Sequence, residues 1–348
     1  MSASGYAKVV PYIRAVLSTI PKPESYREAI EASSLGEAVA AVTSPSLESA
    51  REAGDIFEVG RLVWRDYTLI VNKASKLSPA KARMAVELNL LFEDLKDTLS
   101  FIFSALRGSV RLGELEKMPT SMVEGSTINN IIKSGPEAFE SLSRIPEASP
   151  KPSLRRVYSQ ILQLVEGASP PLALLSTGPA MSWLLKEAVS SLGGEAMLVE
   201  KVYCPRVLYS LLSGVIQAKA SAMDAKSVDT VYSGVEVCGF SWDKGVRQIY
   251  ESEASAEGLS ASLSQLYPDF RMEGSSIGEL LESLRMKSRA KSLEAGQVAL
   301  ASYPFQAGFV AGGLEIVRIA FEDIAYVLAA SQLKVGKEAA LARTSPTR

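Results

Sequence analysis

Apolar residues return along this chain at steps of three and four, seldom at steps of two. The cleanest run follows Pro79 and comprises Met84, Leu88, Leu91, Leu95, Leu99, Ile102 and Leu106. At 3.6 residues per turn these positions form one continuous stripe, which predicts a helix from Pro79 to about Arg107 with Gly108 as its C-cap. Leu154, Val157, Ile161, Leu164 and Val165 predict another over Leu154–Glu166. Val207, Leu211, Leu212, Val215 and Ile216 predict one over Arg206–Ala220, and Leu314, Val317, Phe321, Ile324 and Leu328 one over Leu314–Leu333. Shorter helices are expected at Ala7–Ile20, Tyr26–Ala32 and Leu35–Val42, with a serine of Ser33-Ser34 capping the last. Arg51–Lys76, Asp243–Ser255, Glu257–Leu266 and Ser276–Gly296 also read as helices. So do Ile128–Lys133 and Glu137–Arg144, before a linker marked by Pro146, Pro150 and Pro152. Only Val228–Gly239 reads as strand, a short hairpin at most. The expected class is all-α.

A degenerate pattern comes round three times. Glu37, Glu137 and Glu257 each lie between small residues just ahead of an apolar position, separated by 100 and 120 residues. The expectation is three helical units at 1–110, 111–224 and 225–348, each burying its apolar face against its neighbours. The first and third share a further string, Phe92-Glu93-Asp94-Leu95 and Phe321-Glu322-Asp323-Ile324.

Composition narrows the function. Hydrophobic residues make up 47% of the 348 but aromatics only 7%, so the excess is aliphatic and suits helices. The net charge of −2 leaves no basic footprint for a nucleic-acid backbone, so DNA and RNA are set aside. Two cysteines, Cys204 and Cys238, make no disulfide framework; they fit a reducing compartment, with Cys204 read as a small buried residue. The amino-terminal text lacks a secretory pattern, and a cytosolic chain is expected. Gly167–Leu185 and Ala295–Leu314 carry no charge, yet their prolines and glycines suit buried core better than a membrane span.

Catalytic chemistry is sparse. The chain has no histidine, which removes the commonest general base, Ser-His and Cys-His nucleophiles, and the commonest metal ligand. Gly308, Gly312 and Gly313 follow no strand and point to close helix packing instead of a nucleotide loop. Glu93 and Asp97 lie one turn apart on one helical face and, with Asp94, loosely resemble the aspartate-rich magnesium motif of all-helical terpenoid synthases. The motif starts with Glu, however, no second one follows, and aromatics to line a cavity are few. A solvated acidic face opposite the leucine stripe is the plainer expectation.

The order of Tyr6, Arg14, Leu17, Tyr26, Ala29, Ile30, Ala32, Ser33, Leu35, Glu37, Val42 and Thr43 resembles the opening of the rotary ATPase C subunit, called subunit d in vacuolar ATPases. Tyr303-Pro304-Phe305, followed by Phe309–Tyr326 and Leu328–Glu338, is similar to that family's closing region, with Glu322 where members keep a Glu. The family's Asn-Leu-Arg and Asp-x-x-Asn-Ile signatures are absent as such; the chain reads Asp94-Leu-Lys-Asp97, Pro205-Arg-Val-Leu208 and Asp323-Ile-Ala-Tyr326 there. The resemblance implies three pseudo-repeated helical bundles arranged as a funnel. It implies a non-catalytic rotor subunit without cofactor, joining the central axle to the membrane proteolipid ring. Glu93, Asp97 and Glu322 are then the expected partner-facing residues. A magnesium-dependent prenyl or terpenoid enzyme using Glu93, Asp94 and Asp97, and a generic helical-repeat scaffold, are the alternatives.

Overall fold

The computed structural model describes residues 3–44, 49–52, 55–106, 146, 152–165 and 171–344. Glu137, the predicted helices Ile128–Lys133 and Glu137–Arg144, Pro150 and the cap at Gly108 lie outside them. The described chain is all-α apart from one minimal hairpin. Its helices are α1 (Val9–Ser18), α2 (Pro23–Glu31), α3 (Leu35–Val42), α4 (Ile56–Leu77), α5 (Arg83–Leu106), α6 (Pro152–Val165), α7 (Pro171–Leu175) and α8 (Thr177–Ser190). They continue as α9 (Ala196–Ala220), α10 (Ala225–Tyr232), α11 (Arg247–Ser252), α12 (Ala256–Leu266), α13 (Ile277–Ala301), α14 (Ala307–Gln332) and α15 (Lys337–Ala342). Strands β1 (Glu236–Val237) and β2 (Phe240–Ser241) pair antiparallel, Val237 opposite Phe240.

Two compact units emerge, each assembled from separate stretches of chain. One comprises residues 1–90, 188–202 and 289–348, the other 91–187 and 203–288. The divisions fall inside α5, α8, α9 and α13, so each of these helices contributes residues to both.

The first unit is built on α14. Its residues 307–321 are buried on every side, as expected of a helix that is apolar all round, and α1, α2, α3 and α4 pack around it. Small residues allow the approach. A Cβ on Gly312 would stand 2.5 Å from that of Ala299, and one on Gly313 would stand 2.4 Å from Ile13 Cγ2. The glycines expected to serve close packing do so. In α1, Pro11 falls in the first turn, where its missing N–H is no loss, while Val9, Val10, Ile13 and Val16 face inward. Ser34 caps α3 as expected, accepting a hydrogen bond from the Glu37 N–H at 3.2 Å.

The second unit gathers aromatics. Tyr232 is fully buried, its ring 5.4 Å from Trp242 and 6.1 Å from Phe240, and Trp242 stands 5.7 Å from Tyr250. The Tyr232 hydroxyl donates to the Leu211 carbonyl at 3.2 Å. Gly214 leaves it room, because a Cβ there would lie 2.3 Å from that hydroxyl.

Several expectations are corrected. α9 begins at Ala196 and runs through Pro205, which removes only one ladder bond from a helix held by packing on both sides of it. Val228–Tyr232 is helical, because Asp224 caps α10 by accepting from the Ser227 N–H at 2.8 Å. The predicted helix from Arg51 begins at Ile56, where Asp55 accepts from the Glu58 N–H at 2.9 Å. α5 has no solvated acidic face along its whole polar side: Asn89, Asp94 and Thr98 are buried. Finally, Cys204 and Cys238 form a disulfide, with Cα atoms 5.4 Å apart. Separation in sequence is no obstacle, because the hairpin returns Cys238 to α9, and the inference of a reducing compartment loses its premise. Among the described residues no helix is long and apolar enough to cross a membrane.

Candidate functional site

The string shared by α5 and α14 marks two matched polar clusters, one per unit. In each, a phenylalanine meets a tyrosine edge-on, a glutamate meets arginine, an aspartate is buried against a donor, and an aliphatic residue closes the turn.

On α5, the Phe92 ring lies 5.9 Å from Tyr203 at an interplanar angle of 82°. The Arg206 guanidinium stands over Phe92, 5.3 Å from its centroid, and forms an ion pair with Glu93. Lys96 reaches the other Glu93 oxygen at 3.2 Å. Asp94, fully buried, accepts a hydrogen bond from the Tyr158 hydroxyl at 2.5 Å, and Thr98 Oγ1 lies 3.2 Å from the same phenol. Burial raises the Tyr158 pKa well above its ordinary value, and the Asp94 charge raises it further, so the phenol stays a donor. Asp97, half-buried one turn on, adds its charge in the same direction.

On α14, the Phe321 ring lies 6.0 Å from Tyr67 at 81°. Arg289 on α13 donates to Asp323 at 2.5 Å, to Glu322 at 2.8 Å and to the Ile319 carbonyl at 2.8 Å. Arg318 binds both oxygens of Glu315, at 2.7 and 2.9 Å, and pairs with Glu322. Three carboxylates thus share two guanidiniums, and the Glu322 side chain, 29% exposed, is the member that meets solvent. Buried ion pairs recover little net energy after desolvation, but removing one partner costs about 3–5 kcal/mol. Such clusters hold geometry more than they add stability.

A further carboxylate, Glu195, organises the first unit. Glu195 accepts from the Tyr6 hydroxyl at 2.6 Å, the Lys81 ammonium at 2.5 Å and the Ala307 N–H at 2.7 Å. It thereby caps α14 from a distant stretch of chain, since Gln306 supplies no side-chain cap. Burial pulls the Glu195 pKa upward, but the bonds from Lys81, Tyr6 and Ala307 outweigh it and leave the value lowered.

The sequence-marked residues therefore fall into both units: Glu93 and Asp97 in the second, Glu322 in the first. Glu93 and Asp94 turn to different partners, Arg206 and Tyr158. Among the described residues no three carboxylates or thiolates converge as a metal-holding group. Sequence reasoning missed Arg206, Arg289, Arg318, Tyr158 and Glu195. A signal existed for one of them: Arg318, with Glu315 three residues before it, interrupts an otherwise apolar run, and a charge in such a run requires a partner.

Two helix starts share one capping pattern. Ser33-Ser34-Leu35-Gly36-Glu37 returns as Ser275-Ser276-Ile277-Gly278-Glu279, with the same capping. Ser276 accepts from the Glu279 N–H at 3.3 Å, and Glu279 accepts from the Ser275 N–H at 2.6 Å, as Glu37 does from the Ser33 N–H at 3.0 Å. Both carboxyl pKa values are lowered, chiefly by these serine bonds. Glu257, by contrast, sits second in α12 behind the cap Ser255, which accepts from Gly258.

No protein-family model matches this chain, and no curated protein sequence matches it.

Proposed function

We propose that this chain is a non-catalytic central-stalk subunit of an archaeal- or vacuolar-type rotary ATPase. In this reading it couples the central axle to the membrane proteolipid ring during proton or sodium transport, peripheral to the membrane on its cytoplasmic face. The observation that carries the reading is the meeting of the two stretches of family-like text. Residues 6–43 and 303–338 fold into one unit around α14. Their shared residue types have physical tasks there. Tyr6 donates to the carboxylate that caps α14, Tyr26 is buried beside the Arg289–Asp323 pair, and Glu37 completes the cap of α3.

A torque-transmitting part needs stiffness, and buried ion clusters on long helices supply directional constraints that apolar packing alone does not. The matched clusters and the repeated capping motif support an internally duplicated body, and three pseudo-repeats forming a funnel belong to the same proposal. Glu93, Asp97 and Glu322 are its partner-contact residues, Glu322 being the exposed edge of its cluster.

The test is binding of the purified chain to isolated proteolipid rings and to axle subunits, for the natural chain and for Asp97→Ala and Glu322→Gln. The reading expects binding to both partners, weakened by at least one substitution. Binding that ignores both substitutions would remove the contact assignment, and absence of binding to either partner would remove the rotor reading.

A further inference from the structure

The chain's two cysteines meet at a place where each is awkward for structural reasons alone. Cys238 occupies the first turn position of a two-residue hairpin, between the paired residues Val237 and Phe240, at φ +55°, followed by Gly239 at φ +79°. A turn with positive φ at both positions favours Asn-Gly or Gly-Gly. A cysteine there holds a left-handed conformation that L-residues other than Asn and Asp seldom adopt. Cys204 precedes Pro205 inside α9, where the ring removes the donor that would reach the Lys201 carbonyl. The bond thus pins a two-stranded hairpin, marginal by itself, onto a weakened turn of a helix. Both cysteines are half-buried.

The surroundings localise what the bond holds. Beneath the hairpin, Phe240 and Trp242 are fully buried, and Trp242 Nε1 donates to Asp229 at 2.7 Å. Neither anchor involves the disulfide. The tip, Glu236 to Gly239, has little else: Lys244 pairs with Glu236 at 2.7 Å, both largely exposed. On the helix side, Arg206 follows Cys204 by two residues and holds Glu93, while the Pro205 carbonyl accepts from Ser288 Oγ at 2.9 Å.

We infer that Cys204–Cys238 is a reversible redox latch, which holds the hairpin tip on the proline turn of α9 when oxidised and frees both when reduced. Closing it replaces two S–H bonds with one S–S bond. Two electrons and two protons pass to a low-molecular-weight disulfide such as glutathione disulfide, which leaves as two thiols through a mixed-disulfide intermediate. Opening runs the exchange backwards, with reduced glutathione as donor. The latch biases the Arg206 end of the Glu93 cluster, and the inference stands whether or not the rotor reading does.

Hydrogen exchange read by mass spectrometry on the full chain tests it, after equilibration with glutathione disulfide or with dithiothreitol, alkylation reporting the thiol state. The expected result is loss of protection on reduction in peptides covering residues 203–210 and 234–241, restored on re-oxidation. Peptides from α10 and α12 keep theirs. Cys238→Ser shows the reduced pattern under both conditions. Free thiols after oxidation, unchanged exchange in both peptides, or loss of protection throughout α10 and α12 would each overturn the inference, the last by making the bond a structural staple.

Discussion

Glu195 is the residue whose replacement separates charge, hydrogen bonding and packing most cleanly. One carboxyl oxygen serves Tyr6 and the Ala307 N–H, the other Lys81. In Glu195→Gln the amide nitrogen can take the Lys81 side, because the lysine is 40% exposed and free to turn to water. The two buried donors then keep a neutral acceptor. The loss is the charge-assisted part of two bonds, about 1–2 kcal/mol. In Glu195→Ala both buried donors lose their acceptor, at about 1–3 kcal/mol each, and α14 loses its cap. The order is therefore natural chain above Gln, and Gln above Ala. The carboxyl pKa is lowered from its ordinary 4.5 on folding, so its contribution is full above that value and disappears as pH falls through the folded pKa. The stability gap between the natural chain and Glu195→Gln must shrink on acidification below about pH 5. Urea unfolding followed by circular dichroism, repeated from neutral to acid pH, measures all of this. Equal midpoints for Gln and Ala would mean that Glu195 does not hold these two donors, and a gap constant with pH would mean that its charge does not stabilise the fold.

Five further substitutions have effects set by local geometry. Gly312→Ala should lower the melting temperature, since its Cβ would press on Ala299 and the Gly296 carbonyl, an overpacking of about 1–3 kcal/mol. Gly60→Ala, in α4 with open space at its Cβ, should raise it by removing up to about 1 kcal/mol of helix penalty. Tyr158→Phe takes the donor from buried Asp94 and should cost about 1.5–3 kcal/mol in urea unfolding; no change would mean that Asp94 is satisfied without it. Ser34→Ala and Ser276→Ala should each cost about 1 kcal/mol, and hydrogen exchange should place the effect in the first turns of α3 and α13.

Helices were legible wherever apolar period and a cap agreed, as in α3, whose predicted bounds Leu35–Val42 match the structure. They were misplaced where one strong local signal outvoted context. Pro205 suggested a helix start, yet the packing of Val199, Val202 and Tyr203 carries α9 through it. The β-branched text of Val228–Val231 suggested a strand, but the Asp224 cap and its burial period of three to four make a helix. The polar side of α5 looked solvated because its partners, Tyr158 and Arg206, stand 64 and 113 residues away. Long-range pairing leaves no trace in local periodicity. For the same reason the Cys204–Cys238 bond was invisible, and so was the cap that Glu195 provides to Ala307. What the chain did display was the repeated Phe-Glu-Asp string, and both copies prove to be buried charge clusters.

Affinity purification of the tagged chain from gently solubilised native membranes decides whether it belongs to a rotary complex. Mass spectrometry of the co-purified proteins should find nucleotide-binding ATPase subunits, axle subunits and a proteolipid. Recovery of the chain alone, from membrane and soluble fractions alike, would rule out that membership.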